Sequence, residues 1–400
     1  MAFDADVIIV GGGPAGATTA LAMARSAPDL ARRSLLLERA FYPRDKPCAG
    51  ALGARGDALL GEIGVVVDVP SVRIDGISFR GAAAEASAAP GAIGRVVRRT
   101  EFDHALARAA AASGIQVREG ACVDALLDED DGVMVRTNYG DLRARVVVGC
   151  DGIGSIVRRS LGLGTGRLRA QVVEVDTDPT AEDRTRTLLH FDASDRTLSG
   201  YAWDFPTVVE GRELMCRGVY QLKVGGEALE VGALLDERLR RVGIDPARCR
   251  ATKRYAERGF EPATRLAEGH RMLAGEAAGI DPVTGEGIAQ AIEYGLLAGR
   301  FLARKFGGSV GRGFALDDWQ EEFARSRLAR DLRIRLRLMR LFYGSARPDV
   351  ERFITASDDA LFVGCQHFAW QPYDWLKLGD VVGRGLAGMF GVLIRDALAW

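Results

Sequence analysis

Residues 7–10, Val-Ile-Ile-Val, are a fully apolar run, and Gly11-Gly12-Gly13-Pro14-Ala15-Gly16 follows at once. An alanine-rich stretch of helical character continues to about Ser26, and residues 34–38 form a second apolar run that ends in Glu38. Short apolar runs bounded by glycine predict buried strands. The opening therefore predicts strand, glycine-rich turn, helix and strand, the start of a parallel sheet, with the first strand beginning at about Asp6. Residues 40–56 are rich in proline, glycine and charge and predict a loop. Phe102, Leu106 and Ala109 recur at helical spacing, which predicts a helix over 100–113 stopped by Gly114. Strands are expected at 115–117, 121–127, 133–137 and 143–148, with a turn at Asp131-Gly132.

From about residue 170 to 260 the pattern changes. Alternating runs at 171–175 and 214–222 predict an antiparallel sheet. From Arg271 a strand, a glycine-rich loop and a helix return, continuing through Gly299. The chain then reads as helical and arginine-rich to about Phe342, followed by an irregular aromatic tail. The expected fold class is α/β (α+β): a Rossmann-like dinucleotide-binding domain with an inserted antiparallel-sheet substrate domain and a helical C-terminal region. The dinucleotide-binding domain is expected in two segments, 1–169 and 261–310, with a small inserted sheet region around 57–98. The substrate domain is expected at 170–260 and the helical region at 311–400. There is no internal repeat and no low-complexity linker.

Composition narrows the function. A net charge of −1 gives no basis for nucleic-acid binding. Only Lys46, Lys223, Lys253, Lys305 and Lys377 are lysines, an arginine bias that reads as genomic composition. The six cysteines form no CxxC pair, and the four histidines show no metal spacing, so no metal site is expected. Those thiols fit a reduced, cytoplasmic setting. The N-terminus does not read as a signal peptide, and no uncharged apolar run reaches the ~18 residues of a membrane span.

The motif Gly11-x-Gly13-x-x-Gly16 sits between a strand and a helix, the context that such a motif requires. Gly11 permits a tight turn, Gly13 lets backbone approach a pyrophosphate, and Gly16 lets helix and strand pack closely. Pro14 and Ala15 open the helix, whose free N–H groups favour phosphate. Glu38, about twenty residues further on and followed by Arg39, can accept the ribose hydroxyls of an adenosine. Gly383-x-Gly385-x-x-Gly388 fits the same pattern without a strand–helix context and is taken as chance.

Further segments resemble flavoproteins of the para-hydroxybenzoate hydroxylase type, most closely the geranylgeranyl reductase family, from residue 5 to about 300. Val148-Gly149-Cys150-Asp151-Gly152 resembles the Asp-Gly motif that contacts the FAD ribose and pyrophosphate. Gly275-Glu276-Ala277-Ala278-Gly279, followed by Asp281-Pro282-Val283-Thr284-Gly285-Glu286-Gly287-Ile288, resembles the second cofactor stretch. The resemblance implies that Glu276 binds the ribityl chain and that Gly285, Gly287 and Ile288 lie against the isoalloxazine ring. Glu276 stands where the family usually has Asp. Arg44-Asp45-Lys46-Pro47-Cys48-Ala49-Gly50 resembles the Lys-Pro-Cys-Gly-Gly stretch that passes the flavin edge, with Ala49 in place of a glycine. Two readings of Cys48 stand: a redox or proton-transfer group beside the flavin, and a small residue filling space. Cys122 and Cys150 read as core. Arg99 resembles the arginine of a helix start near the cofactor, its other reading being a surface arginine, and Val123 resembles the strand residue whose backbone meets adenine.

On the substrate side, Tyr201-Ala202-Trp203-Asp204-Phe205-Pro206 resembles the Tyr-x-Trp-x-Phe-Pro motif of geranylgeranyl reductases. In a strand Tyr201, Trp203 and Phe205 share one face and can wall an apolar pocket. The family often follows this motif with lysine; Thr207 follows here, which argues against a long isoprenoid lipid. His190 reads either as a proton donor or as a structural histidine. A helix is expected over 317–339, with Arg325, Arg327, Arg330, Arg333, Arg335, Arg337 and Arg340 as a solvated face. The apolar segment 385–400 is expected to dock or to cover a pocket, and peripheral membrane contact stays open. These features imply an FAD oxidoreductase delivering hydride to a C=C bond of an apolar small molecule. Its alternative is a monooxygenase acting through a C4a-hydroperoxide. A halogenase is disfavoured because residues 51–100 lack the lysine that such enzymes need; a non-catalytic flavin-binding partner is disfavoured by the flavin-edge loop. The electron donor is expected to be transiently bound NAD(P)H or a reduced protein.

Overall fold

The computed structural model describes residues 2–181, 183, 186–223, 230–249, 252–308, 313–356 and 358–384. Its first sheet carries a parallel core in the order Arg271–Leu273, Gly140–Gly149, Ala5–Val10, Ser34–Leu37 and Gln116–Arg118. The apolar runs read from sequence occupy its centre, and Val7, Ile8 and Ile9 are fully buried. Strands buried on both faces are continuously apolar instead of alternating. Val123–Glu129 and Gly132–Thr137 add an antiparallel extension onto Gly140–Gly149. The helices Pro14–Ser26 and Ile288–Phe306 pack closely over this sheet. Gly295 and Gly299 allow the approach, since a Cβ on either would lie 2.6 and 2.5 Å from the carbonyls of Ala15 and Thr19.

The second sheet has seven strands in the order Lys253–Arg258, Arg169–Thr177, Arg212–Lys223, Gly200–Val209, Leu188–Asp192, Gly76–Arg80 and Glu85–Ala88. Two expectations are corrected here. Gly76–Arg80 and Glu85–Ala88 belong to this substrate-side sheet, while the rest of the 57–98 region contributes Ser71–Ile74 and Gly94–Val97 to a small three-stranded sheet with Ala51–Gly53. The large sheet is also not wholly antiparallel, because Leu188–Asp192 pairs in parallel with Gly76–Arg80. Such pairing joins distant chain segments, which local alternation does not encode. The helix Val231–Arg241 covers one face through Val231, Leu235 and Leu239.

The C-terminal helices close the other face. The single helix expected over 317–339 is broken at Ser326, whose extended backbone (ψ 159°) separates Trp319–Arg325 from Arg327–Phe342. The Ser326 hydroxyl caps the second helix by accepting from Ala329 N at 3.0 Å. Arg347–Thr355 and Asp358–Ala369 follow. The arginines are not one solvated face either. Arg325, Arg327, Arg330, Arg337 and Arg340 are exposed, Arg333 is half-buried, and Arg335 is buried. No helix among the described residues is long and apolar enough to cross a membrane. The segment 385–400, with Gly385 and Gly388 of the second glycine pattern, lies outside the described residues.

Candidate active site

The glycine-rich turn is built to receive an anion. Gly11 has φ +100°, and a Cβ on Gly16 would stand 1.9 Å from the Gly11 carbonyl, so neither position accepts a side chain. Gly13 differs: a Cβ there would meet no backbone, but Arg44 Nη2 and Arg99 Nη2, each at 3.6 Å, and Asp103 Oδ2 at 4.0 Å. Two guanidinium groups therefore flank the start of the helix Pro14–Ser26. Both are held in place by Asp103, which receives two hydrogen bonds from Arg99 at 2.6 and 2.7 Å and a 3.0 Å ion pair from Arg44. Arg99, buried as it is, is no surface arginine; its paired carboxylate pushes its pKa further up against the cost of burial.

Glu38 follows the second strand and is buried. Its carboxylate accepts from Gly12 N at 3.0 Å and Ala40 N at 3.1 Å and pairs with Arg44 Nε at 3.2 Å. A carboxylate has about four acceptor positions, so ribose hydroxyls can still bind it. Arg39 is exposed, and Val123 is buried at the start of its strand. Asp151 spends Oδ2 on capping Ile156 N at 2.7 Å, while its buried Oδ1 has no hydrogen-bond partner among the described residues. Gly152 has φ +69°, and its Cβ position lies 3.3 Å from Glu276 Oε2. Glu276 is paired with Lys46 at 3.5 Å and accepts from Arg258 N at 3.3 Å. Gly275 has φ +64°, and a Cβ there would sit 2.6 Å from that of Ala15, so the two cofactor stretches are adjacent. Cys150 is buried as expected, whereas Cys122 is exposed at the bend before its strand, which corrects its reading as core.

The orphaned Asp151 oxygen, the arginine pair and the open space at Gly13 fit a phosphate-linked dinucleotide. The sequence matches the FAD binding domain family over residues 4–330.

The chain belongs to that family.

This FAD-binding protein is 28% identical to the menaquinone reductase of Mycobacterium tuberculosis over 330 residues, covering 74% of this chain and 76% of that one. It is also 28% identical to digeranylgeranylglycerophospholipid reductase 2 of Methanothermobacter thermautotrophicus over 340 residues, 75% and 81% of the two chains. Among solved structures, a geranylgeranyl bacteriochlorophyll reductase-like protein of Thermoplasma acidophilum superposes with a TM-score of 0.65 and 20% identity, covering 94% of each chain. The motif resemblance to geranylgeranyl reductases and these relatives point the same way.

Beside the loop 283–288 and residues 48–51 lies a cavity of about 730 Å³, in the size range of small-molecule sites. One wall is the strand Gly200–Val209. Tyr201, Trp203 and Phe205 all face the cavity, with Phe191 set against both Tyr201 and Phe205 at 5.1 Å. The floor is formed by residues 48–51 and 283–288, and the roof by the C-terminal helices, including Leu338, Phe342 and Leu361. Ile334, Leu338 and Val382 are exposed and line its outer part.

The loop 281–288 is held on every side. Asp281 accepts from Val283 N at 2.8 Å and Thr284 N at 3.2 Å. Three phenols then cap three successive carbonyls: Tyr220 donates to Pro282 O at 3.5 Å, Tyr343 to Val283 O at 2.5 Å, and Tyr201 to Thr284 O. Arg335 closes the loop from above, contacting Asp281 at 2.7 Å, Glu286 at 2.8 Å and Asp331 at 3.1 Å. Burial alone would raise the Asp331 pKa, but the hydrogen bond from His367 and the Arg335 charge hold it well below the usual range.

Sequence reasoning did not single out several of these groups. Glu174 is buried; it accepts from Cys48 N at 2.9 Å and Tyr255 Oη at 3.3 Å, which fastens the Cys48 stretch to the large sheet. Burial pushes its carboxyl to about 7. An acid inside Val172-Val173-Glu174-Val175 was the available signal. Burial likewise pushes the Cys48 thiol up, with Arg99 opposing, so Cys48 is not a thiolate nucleophile at neutral pH. His190 pairs across the sheet with Asp204 and does not line the cavity.

Trp203 spans the strand pair onto Gly218, where a Cβ would collide with its ring at 2.1 Å. Trp203→Ala is expected to cost ~3–5 kcal/mol in stability and to weaken binding of an apolar ligand. The absorbance of bound flavin should not change, because Tyr201 and not Trp203 reaches the cofactor loop. Loss of flavin from the purified variant would show that Trp203 is part of the cofactor support.

Proposed function

We propose that this FAD-dependent oxidoreductase is a reductase that saturates a C=C bond of an apolar small molecule. The observation that carries this reading is the chemistry of the cavity wall. The hydroxyls of Tyr201, Tyr220 and Tyr343 are consumed by carbonyls of the cofactor loop, which leaves mainly rings and aliphatic groups for the substrate. A hydroxylated aromatic substrate would require several polar anchors, and the wall leaves few, Trp203 Nε1 and one oxygen each of Glu257 and Glu286. A hydrocarbon requires none. The reductase names of the relatives support the same reading.

Bound FAD, once reduced, supplies a hydride. The chain's own groups do the rest. Arg44, Arg99 and the Pro14–Ser26 helix start would hold the pyrophosphate; Glu38 would hold the ribose; Asp151 and Glu276 would hold the connecting chain. The helix Ile288–Phe306 begins under the loop 283–287, and its N-terminal dipole favours negative charge there. The roof helices exclude water, and the exposed apolar side chains Ile334, Leu338 and Val382 give the substrate a route inward. The electron donor is NAD(P)H or a reduced protein that binds transiently.

The test is to reduce the holoenzyme anaerobically and mix it with apolar alkenes while following flavin absorbance by stopped flow. Alkene-dependent reoxidation with a saturated product is expected. If alkenes leave the flavin reduced, and oxygen instead gives a transient absorbing species with an oxygenated product, the protein is a monooxygenase.

A further inference from the structure

Reduction of a C=C bond requires a proton as well as a hydride, and most acids in the cavity are already committed. The three loop-capping phenols have their hydrogens on carbonyls, and burial pushes Tyr201, Tyr220 and Tyr343 far above the ordinary phenol value. Tyr255 donates to Glu174. Glu174 holds Cys48 N, and the Cys48 thiol is shifted away from acidity. Glu286 has a buried oxygen without a partner among the described residues, Oε1, but its Oε2 is ion-paired with Arg335 at 2.8 Å. Glu257 is different. It projects from the edge strand Lys253–Arg258 into the cavity, and its buried Oε2 has no hydrogen-bond partner among the described residues. It stands against the cofactor loop: a Cβ on Gly285 would come within 2.6 Å of Oε2 and 3.0 Å of the Tyr220 ring. Glycine at 285 is what leaves room for this carboxyl.

We propose that Glu257 is the proton donor of the reduction. The proposal rests on the reductase reading and extends it. The π bond of the alkene is broken and two C–H bonds form. One carbon takes a hydride from reduced FAD, which is oxidised; the other takes the Glu257 proton, leaving a carboxylate. A solvent proton then restores the acid. The environment supports this role. Burial, then the charge on Glu276, raises the Glu257 carboxyl to about 8; Lys46 opposes, and Asp281 and Glu174 add to the rise. Glu257 is therefore neutral at pH 7 and close to the value at which an acid is both protonated and able to give its proton away.

The test compares wild-type and Glu257→Gln holoenzymes, reduced anaerobically and mixed with detergent-dispersed geraniol and geranylgeraniol, a short and a long alkene, as probes. Glu257→Gln should keep its flavin and its affinity for the probe. Its probe-dependent flavin reoxidation should slow by ~100-fold or more, in the range for losing a general acid, and lose the pH dependence centred near 8. Glu257→Asp should recover part of the rate. Independently of turnover, the infrared band of a protonated carboxyl should titrate near pH 8 in the wild type and be absent from Glu257→Gln. Wild-type rate and pH profile in Glu257→Gln, or a wild-type carboxyl already ionised at pH 7, would overturn the proposal and leave the reductase reading in place. A wild-type enzyme that reduces neither probe nor any other apolar alkene would overturn both.

Discussion

Replacing Gly13 by aspartate is expected to give a folded protein that no longer retains FAD. The site has room for the side chain, because a Cβ there meets only side-chain ends, those of Arg44 and Arg99 at 3.6 Å and of Asp103 at 4.0 Å. The new carboxylate would pair with those guanidinium groups and take the place intended for the pyrophosphate. Like charges about 4 Å apart repel by roughly 4 kcal/mol at the effective dielectric of a protein surface, on the order of a thousandfold in affinity. Circular dichroism and the thermal midpoint of Gly13→Asp should match those of flavin-stripped wild type, while the purified variant is colourless. A yellow, fully loaded Gly13→Asp would show that the cofactor binds elsewhere. Gly16→Ala is a contrasting case: its Cβ would stand 1.9 Å from the Gly11 carbonyl, so it should fail by misfolding.

The second large effect is expected from Arg335→Met. Arg335 neutralises Asp281, Glu286 and Asp331, which come from the cofactor loop and its own helix, at distances of 2.7, 2.8 and 3.1 Å. All three carboxylates are buried or nearly so, and removing their cation leaves them facing one another. Breaking a buried ion pair in this way costs ~3–5 kcal/mol, a large share of the ~5–15 kcal/mol that holds a domain together. The sign with pH follows. Without Arg335 the crowded acids favour protonation in the folded state, so the variant's deficit should grow as pH rises above the ordinary carboxylate range and shrink towards acid. Denaturant unfolding at pH 5 and pH 8 measures this. A variant within 1 kcal/mol of wild type at both would show that the loop is held by its phenols alone.

Where the chain's own local geometry dictates the chemistry, the site was legible. The turn from Gly11 to Gly16 must contain glycine at the positions where a Cβ would strike backbone, and that demand is written in adjacent residues. The same holds for the period-two face of Tyr201, Trp203 and Phe205. The groups that went unnoticed act across elements. Arg335 reads as one of many surface arginines, and only the fold of the loop 281–288 against it makes it central. Glu257 lies in the charged stretch Lys-Arg-Tyr-Ala-Glu-Arg, which carries no motif; only the Gly285 loop packed against its carboxyl makes it part of the site. Glu174 was visible as an acid in an apolar run, but its partner Cys48 is 126 residues away.

The sequence by itself determined the parallel sheet and the dinucleotide turn, because each depends on backbone sterics and hydrophobic period within a few tens of residues; the FAD family followed from the resemblance of further motifs to known flavoproteins. The sequence also placed the aromatic wall on one strand face. The tertiary structure alone decided that Gly76–Ala88 joins the substrate-side sheet, that the long C-terminal helix breaks at Ser326, and that the C-terminal helices roof the cavity. It also decided which carboxyls burial pushes up. Burial and the charges facing a carboxyl set its proton affinity, and both come from segments far apart in the chain.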